Sequence, residues 1–419
     1  MNKKGELSMR DKMIERFFRY VKIDTQSKEG VEDQYPSTEK QKDLLKILVD
    51  ELKELGCQDV SMDENGYVMG TYPSNLENGD VPAIGLIAHV DTSPAVSGKD
   101  VKPIIHEDYD GGDIQLPGDD EIVIEADENP ALEEHIGHDI ITSDGTTLLG
   151  ADNKAGIAEI LTTIEYLNDN PDFKHGDIKI GFTPDEEVGN STQYFDVDKF
   201  GAKYAYTVYG ETVGEIENET FNAALAKFEV NGVNVHPGYA KDKLVNSIKI
   251  ASQIVDMIDE NPAPETTEKR EGYLHPYVMN GNVEQTNIKV LIRDFEKSGM
   301  QDKKAILKGL RDKIAGKYPR AEINLNIEDQ YENMKVVLEK NQKVVQNALD
   351  AVKQAGLEPK LNLIRGGTDG ARLCFMGLPT PNIFTGGHNF HSKKEWIAIQ
   401  GMEKTVETLV NLVQIWARK

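Results

Sequence analysis

The sequence predicts an α/β protein, a mostly parallel sheet with helices on both faces, interrupted by a compact α+β insertion. Three observations carry this. Val81 to Val90 (V-P-A-I-G-L-I-A-H-V) is a near-continuous apolar run, the mark of a strand buried on both faces. After L-L-G-A-D-N-K-A-G, the residues Ile157, Ile160, Leu161, Ile164 and Leu167 form a helical stripe, so strands alternate with helices. From about Phe221 to Glu328 the texture changes. Alternating runs (A-K-F-E-V-N-G-V, T-N-I-K-V-L-I-R-D-F, A-E-I-N-L-N-I-E) there flank helical stretches near Val245 to Ile258 and Met300 to Ile314. At 419 residues the chain exceeds one comfortable core. Residues 1–221 and 331–419 are therefore expected to form one discontinuous domain, and residues 222–330 an inserted one.

The remaining elements follow the same logic. Met9 to Ile23 sets Ile14, Phe17, Phe18 and Val21 among charges, an amphipathic helix. A loop with D-T-Q-S leads to a second helix, with P-S-T-E-K as its start signal and Leu44, Leu45, Leu48, Leu52 and Leu55 on one face. The acidic, Gly-rich span from Glu107 to Asp139 lacks long periodic segments and reads as surface loops and short hairpins. Ile178, Ile180 and Phe182 mark a further strand, and helices are expected over Lys340 to Gln354 and at the end of the chain, to Lys419.

Composition narrows the function. The formal net charge is -25, with no basic stripe, which argues against nucleic-acid binding. The two cysteines, Cys57 and Cys374, permit one bridge at most and suggest no thiolate metal site. The opening M-N-K-K-G-E-L-S-M-R-D-K-M has no apolar signal region, and no run is long enough to span a bilayer. A cytoplasmic protein with no membrane partner is the expectation.

G-F-T-P-D-E-E-V-G, Gly181 to Gly189, ends a buried strand and at once places Asp185, Glu186 and Glu187 side by side. A solvated loop is the plain reading. The alternative is that neighbouring side chains, pointing different ways, serve two tasks, one holding a metal and one handling a proton. Sites in α/β sheets lie outside the carboxyl ends of the strands. His89, Glu186 and Glu187 occupy such positions, and Asp152 precedes a helix in the matching place. H-V-D lets Asp91 meet the ring of His89, as a carboxylate that fixes a metal-bound imidazole does, although a purely structural pair has the same spelling. Asp152 reads as an N-cap or as a bridge between two cations. G-G-H-N-F-H-S-K-K-E, Gly386 to Glu395, adds two histidines. Two His, one bridging Asp and a Glu pair match a dinuclear His/carboxylate site suited to zinc, cobalt or manganese. Glu187 then reads as ligand and Glu186 as general base.

These residues sit in A-H-V-D-T-S-P, L-L-G-A-D-N-K-A-G, G-F-T-P-D-E-E-V-G, F-N-A-A, N-V-H-P-G, I-R-D-F, I-R-G-G-T-D-G and G-L-P-T-P-N-I-F-T-G-G. On these blocks the chain resembles the M20 zinc peptidases, in particular their peptidase T branch of tripeptide aminopeptidases, over nearly its whole length from Met9. The resemblance implies a zinc-peptidase-like sheet with a ferredoxin-like lid domain hinged to it. It implies two divalent ions, zinc in the first instance, and short peptides as substrates. His89 would bind the first metal with Asp91 orienting it, and Asp152 would bridge both. Glu186 would be the base, and Glu187 and His391 would hold the second metal. His236 would polarise the scissile carbonyl. Arg293 and Arg365 would anchor substrate, an ordinary surface ion pair being the other reading of each. The Asp152–Asn153 bond would be cis. One position departs: where the family carries an Asp as terminal carboxylate of the first metal, this chain has Tyr209, a poor substitute as a neutral phenol. His388 also stands where an aromatic is expected. Other M20-type dipeptidases or deacylases, or a peptide-binding homologue impaired by Tyr209, are the alternatives. A homodimer is an open option for the assembly.

Overall fold

The computed structural model describes residues 7–77, 81–258 and 262–418. The first six residues, and with them part of the opening stretch that lacks a signal region, lie outside the described residues, as does residue 419, to which the last helix was expected to run. The chain divides into two compact units, Met1–Asn218 with Val336–Asn362 and Thr368–Lys419, and Glu219–Lys335 with Leu363–Gly367.

The first unit is built on an eight-stranded sheet. Its strands lie in the order Gln58–Met62, Val68–Tyr72, Ile178–Thr183, Ile84–His89, Tyr204–Gly210, Asn382–Phe384, Glu215–Thr220 and Lys360–Ile364. The expected mostly parallel sheet is in fact mixed. The four strands from Ile178–Thr183 to Asn382–Phe384 run parallel. The hairpin Gln58–Tyr72 and the strand Glu215–Thr220 add antiparallel pairs on either side. The short connection within the hairpin allows only antiparallel pairing there, whereas each parallel step needs a crossover, and the long helix Ala151–Asp169 supplies one. That helix packs on the strands Ile84–His89 and Tyr204–Gly210, with the helices Met9–Val21 and Ile399–Ala417 against it. Its approach is close because residue 156 is glycine: a Cβ there would lie 2.2 Å from the Val208 carbonyl oxygen.

Two local expectations resolve differently. The helix Gln41–Glu54 has no side-chain cap. Ser37 of the P-S-T-E-K start signal instead turns its hydroxyl and amide to Asp185. The span Glu107–Asp139 carries short strands and 3-10 turns, but it is more than surface. Tyr109, Leu116, Ile124 and Leu132 form a satellite core with Ile140 and Trp396.

The second unit is a four-stranded antiparallel sheet, ordered Tyr273–Gly281, Gln285–Asp294, Asn222–Asn231 and Glu322–Tyr331. The helices Ser247–Ile258 and Lys297–Lys317 pack on it. Burial alternates from Ala224 to Asn231, so along that stretch one sheet face is the core and the other meets solvent. The βαββαβ chain order is that of a ferredoxin-like unit.

Candidate metal centre

His89 is the last residue of its strand and lies in register with Thr183, the last residue of the neighbouring parallel strand. The chain therefore delivers the imidazole and the T-P-D-E-E-V-G loop to the same sheet edge. Asp152 arrives from the start of the long helix, where Asp152 and Asn153 depart from helical φ/ψ and the bond between them is cis. Gly150, at φ +85°, makes the turn that a side chain would resist. His391 comes from the loop after Gly387–His388, itself at φ +59°.

These segments bring their side chains to one point. His89 Nε2 lies 2.9 Å from Asp152 Oδ1, and His391 Nε2 lies 3.1 Å from Asp152 Oδ2 and 2.8 Å from Glu187 Oε2. One ligand atom from each of His89, Asp152 and Glu187 falls within 4.8 Å of the others. Burial alone would lower the proton affinity of His89, but Asp152 and Asp91 outweigh it and raise it. The same opposition raises His391 to about 11, through Asp152 and Glu187. Asp152, pushed up by burial, is pulled down by the two histidines to about 2. Glu187 is pushed up to about 8 by burial and by Asp152. Its Oε1 is buried without a hydrogen-bond partner among the described residues. An orphaned acceptor beside two imidazoles and a shared carboxylate is a donor set that fits divalent cations.

The three adjacent acids have three different surroundings. Asp185 turns away from the cluster, with φ +59° and 1% exposure, and accepts from Ser37 N, Ser37 Oγ and Gln41 Nε2 at 2.6–2.7 Å. Glu187 faces His391. Glu186 lies within the field of the cluster, its proton affinity raised by burial, lowered by His89, and raised again by Asp369, Glu187 and Asp152. Asp91 reaches both sides: Oδ1 is 3.4 Å from His89 Nδ1, and its oxygens accept the amides of Glu186 (2.9 Å) and Glu187 (3.1 Å).

Tyr209, next to the end of its strand, is half-buried with its ring 5.6 Å from that of His89. Its phenol is held protonated first by burial, then by the charges of Glu186, Asp152, Glu187 and Glu217. His388 stands apart from the cluster, stacked on Trp396 with ring centroids 4.3 Å apart, and burial brings it down to about 4. The remaining sequence-predicted residues belong to the second unit. His236 is exposed, and its Nδ1 accepts the Gly238 amide at 3.1 Å. Arg293 donates to the carbonyls of Ala224 and Ile292 and lies over the Tyr331 ring. Arg365 donates to Lys269 O, Glu271 O and Thr267 Oγ1, and lies over Phe221. Neither arginine takes part in an ion pair among the described residues.

Sequence reasoning passed over two buried carboxylates. Glu395 accepts the amides of Leu149 and Gly150 (2.8 Å each) and of Asp152 (3.1 Å), so it fixes the turn that presents Asp152. Asp369 accepts from the hydroxyls of Thr183 and Ser191, at the two ends of the acidic loop. Both lie in quoted motifs, G-G-H-N-F-H-S-K-K-E and I-R-G-G-T-D-G, but an acid's partners two hundred residues away leave no local signal.

Histidines and carboxylates converging at the strand ends of an α/β sheet form a donor set for divalent metal. The chain belongs to Peptidase family M20/M25/M40, whose profile matches residues 143–415. It is 51% identical over 408 residues to peptidase T of Halothermothrix orenii, covering 97% of this chain and 100% of that one. It is 50% identical over 406 residues to peptidase T of Bacillus subtilis, covering 97% and 98%. Its fold is similar to the crystal structure of aminopeptidase PepT from Bacillus cereus, with a TM-score of 0.75 at 24% identity over 98% of this chain and 100% of that one. A dinuclear metal-binding M20 peptidase from Bacillus subtilis shares the fold more distantly, with a TM-score of 0.63 at 13% identity over 97% and 98%. Family and cluster together support the use of divalent metal. Among the described residues no helix is long and apolar enough to cross a membrane.

Proposed function

We propose that this chain is a dinuclear-metal aminopeptidase that releases the N-terminal residue of tripeptides. The observation that carries this is the convergence of His89, Asp152, Glu187 and His391, with Glu186 beside them, in a chain half-identical to peptidase T over nearly its full length. His89 and Asp152 would hold one ion, Asp152, Glu187 and His391 the other; zinc suits this donor set, with cobalt or manganese next. When bound, such ions polarise the scissile carbonyl and acidify the attacking water.

The protein's own groups do the rest. Glu186, whose buried and acidic surroundings raise its basicity, takes the proton of the attacking water and returns it to the leaving amine nitrogen as the C–N bond breaks. Asp91 orients His89 and, through two amides, aims Glu186 and Glu187 in different directions. Because His236 Nδ1 accepts the Gly238 N–H, a neutral ring carries its proton on Nε2, a donor for the carbonyl oxygen of the substrate. Residues 222–330 serve as the lid that carries this donor, with Arg293 and Arg365 as substrate anchors.

The test is release of free amino acid from a tripeptide, with zinc, cobalt or manganese added, against dipeptide, tetrapeptide and N-acetylated tripeptide. Preference for the free tripeptide is expected, with a Glu186→Gln control slower by roughly 10²- to 10⁴-fold. Faster hydrolysis of the N-acetylated substrate would overturn the aminopeptidase reading.

A further inference from the structure

The loop between Thr183 and Ser191 carries both Glu186 and Glu187, and it is gripped from three directions by carboxylates. Asp91 takes the two glutamate amides from beneath. Asp185, within the loop, is locked into Ser37 and Gln41. The third grip comes from Asp369, 4% exposed, at the start of the helix Asp369–Phe375. Its Oδ2 accepts from Thr183 Oγ1 at 3.1 Å, and its Oδ1 accepts from Ser191 Oγ. Thr183 closes the strand that leads into the loop, and Ser191 follows the turn that leaves it. One carboxylate thus ties together the loop's two ends. Arg372, a turn further along the same helix, covers the loop at Gly189, where an added Cβ would lie 3.1 Å from its guanidinium.

We propose that Asp369 is a positioning residue for the peptidase reaction: by clasping Thr183 and Ser191 it holds Glu186 in reach of the attacking water and Glu187 in reach of the metal. Two features separate this from ordinary packing. Asp369 has no salt-bridge partner among the described residues, and a buried carboxylate without one is costly unless its bonds are needed. It also spends both oxygens on this one loop rather than on capping its own helix, which Thr368 does. The competing account is that an acid in the first turn merely stabilises that helix.

This inference rests on the reading of Glu186 as base and Glu187 as ligand, and the experiment separates the two. The full-length protein is compared with Asp369→Ala, with Asp369→Asn, and with the double variant Thr183→Val/Ser191→Ala, which removes the clasp and leaves the helix untouched. Two readouts are used: kcat and KM for a tripeptide, and zinc affinity by competition with a chromophoric chelator. Disturbing a group that orients metal ligands typically costs 10- to 100-fold in affinity or activity. The double variant and Asp369→Ala are therefore expected each to lose about that factor in kcat and in zinc affinity, with KM changed less than about threefold. Combining the three substitutions should cost little more than either set alone, because both sets remove one interaction. Asp369→Asn, which keeps one carbonyl oxygen for a hydroxyl, should fall between. If Asp369→Ala fails to fold, Ser191→Ala alone, a change of one oxygen, carries the test. Unchanged kcat and zinc affinity in the Thr183/Ser191 variant overturns the clasp. An unmodified protein that binds zinc but cleaves no peptide overturns the proposed reaction, and leaves the clasp to be judged on zinc affinity.

Discussion

Tyr209→Asp tests how this chain differs from a complete dinuclear site. The phenol lies with its ring 5.6 Å from His89, and its surroundings keep it protonated, so it offers a neutral oxygen. An aspartate there would bring one negative charge to a divalent ion. At ~4 Å and an effective dielectric constant near 20, that attraction amounts to about 8 kcal/mol. Burying a fourth carboxylate beside Asp152, Glu186 and Glu187 takes back several kcal/mol. A net gain of roughly 2–4 kcal/mol, or about 30- to 1000-fold in the affinity of the His89-side ion, is the expected result. The assay is metal competition against a chromophoric chelator, with the metal-to-protein ratio after desalting and the peptidase rate as a function of added zinc. The unmodified protein should retain the ion between Asp152, Glu187 and His391 more firmly than the other, and reach full rate only at elevated metal. Should it keep two ions per chain through desalting, with Tyr209→Asp altering neither affinity nor rate, the reasoning is refuted.

Three further outcomes follow from other parts of the molecule. Protons compete with metal at His391, raised to about 11 by Asp152 and Glu187, so zinc affinity should strengthen steadily from pH 5 to pH 8. Calorimetry in buffers of different ionisation enthalpy should show protons released on binding. Glu159, fully buried in the long helix with neither carboxyl oxygen hydrogen-bonded among the described residues, should be replaceable by leucine with a gain of roughly 1–3 kcal/mol and no loss of activity. Its folded-state pKa is raised by burial, so its contribution is most favourable below the unfolded carboxylate value and is lost as pH rises. The gain from Glu159→Leu, read by denaturant unfolding, should therefore be larger at pH 8 than at pH 4.5. Gly156→Ala, with its new Cβ 2.2 Å from Val208 O, should cost about 3 kcal/mol or more. It should also depress turnover, because the helix start carries Asp152 and the opposing strand carries Tyr209.

Which parts of this were legible in the sequence follows from the range of the interactions involved. The apolar run before H-V-D and the stripe after G-A-D-N-K-A-G are local periodicities, and they placed His89 and Asp152 at strand and helix ends. The D-E-E triplet was visible as a cluster, and Glu186 and Glu187 could be given separate tasks there, but the task of Asp185 was hidden. Asp185 is a structural acid because Ser37 and Gln41 happen to face it, an adjacency made by folding alone. The mixed direction of the sheet was also hidden, since strand direction depends on connections whose path the pattern does not encode. The Glu107–Asp139 span looked like surface because its apolar residues are scattered, yet they meet Trp396, more than 250 residues later. Glu395 and Asp369 escaped for the same reason: a lone acid declares its partners only in three dimensions.

The position of the strand Asn382–Phe384 has a consequence for the birth of the protein. It is among the last strands to be synthesised, yet it lies inside the eight-stranded sheet, parallel to Tyr204–Gly210 and antiparallel to Glu215–Thr220. At ~5–20 residues per second, the ribosome finishes those two neighbours roughly ten to thirty seconds before the strand that belongs between them emerges. For that interval their facing edges are unpaired, open to each other or to a strand of another chain. His391 emerges later still, so the nascent chain cannot close the cluster around metal before its sheet is whole. A chain cut short before residue 382 would lack both the interior strand and His391, the proposed ligand, and is expected to be recovered as aggregate, not as a smaller enzyme.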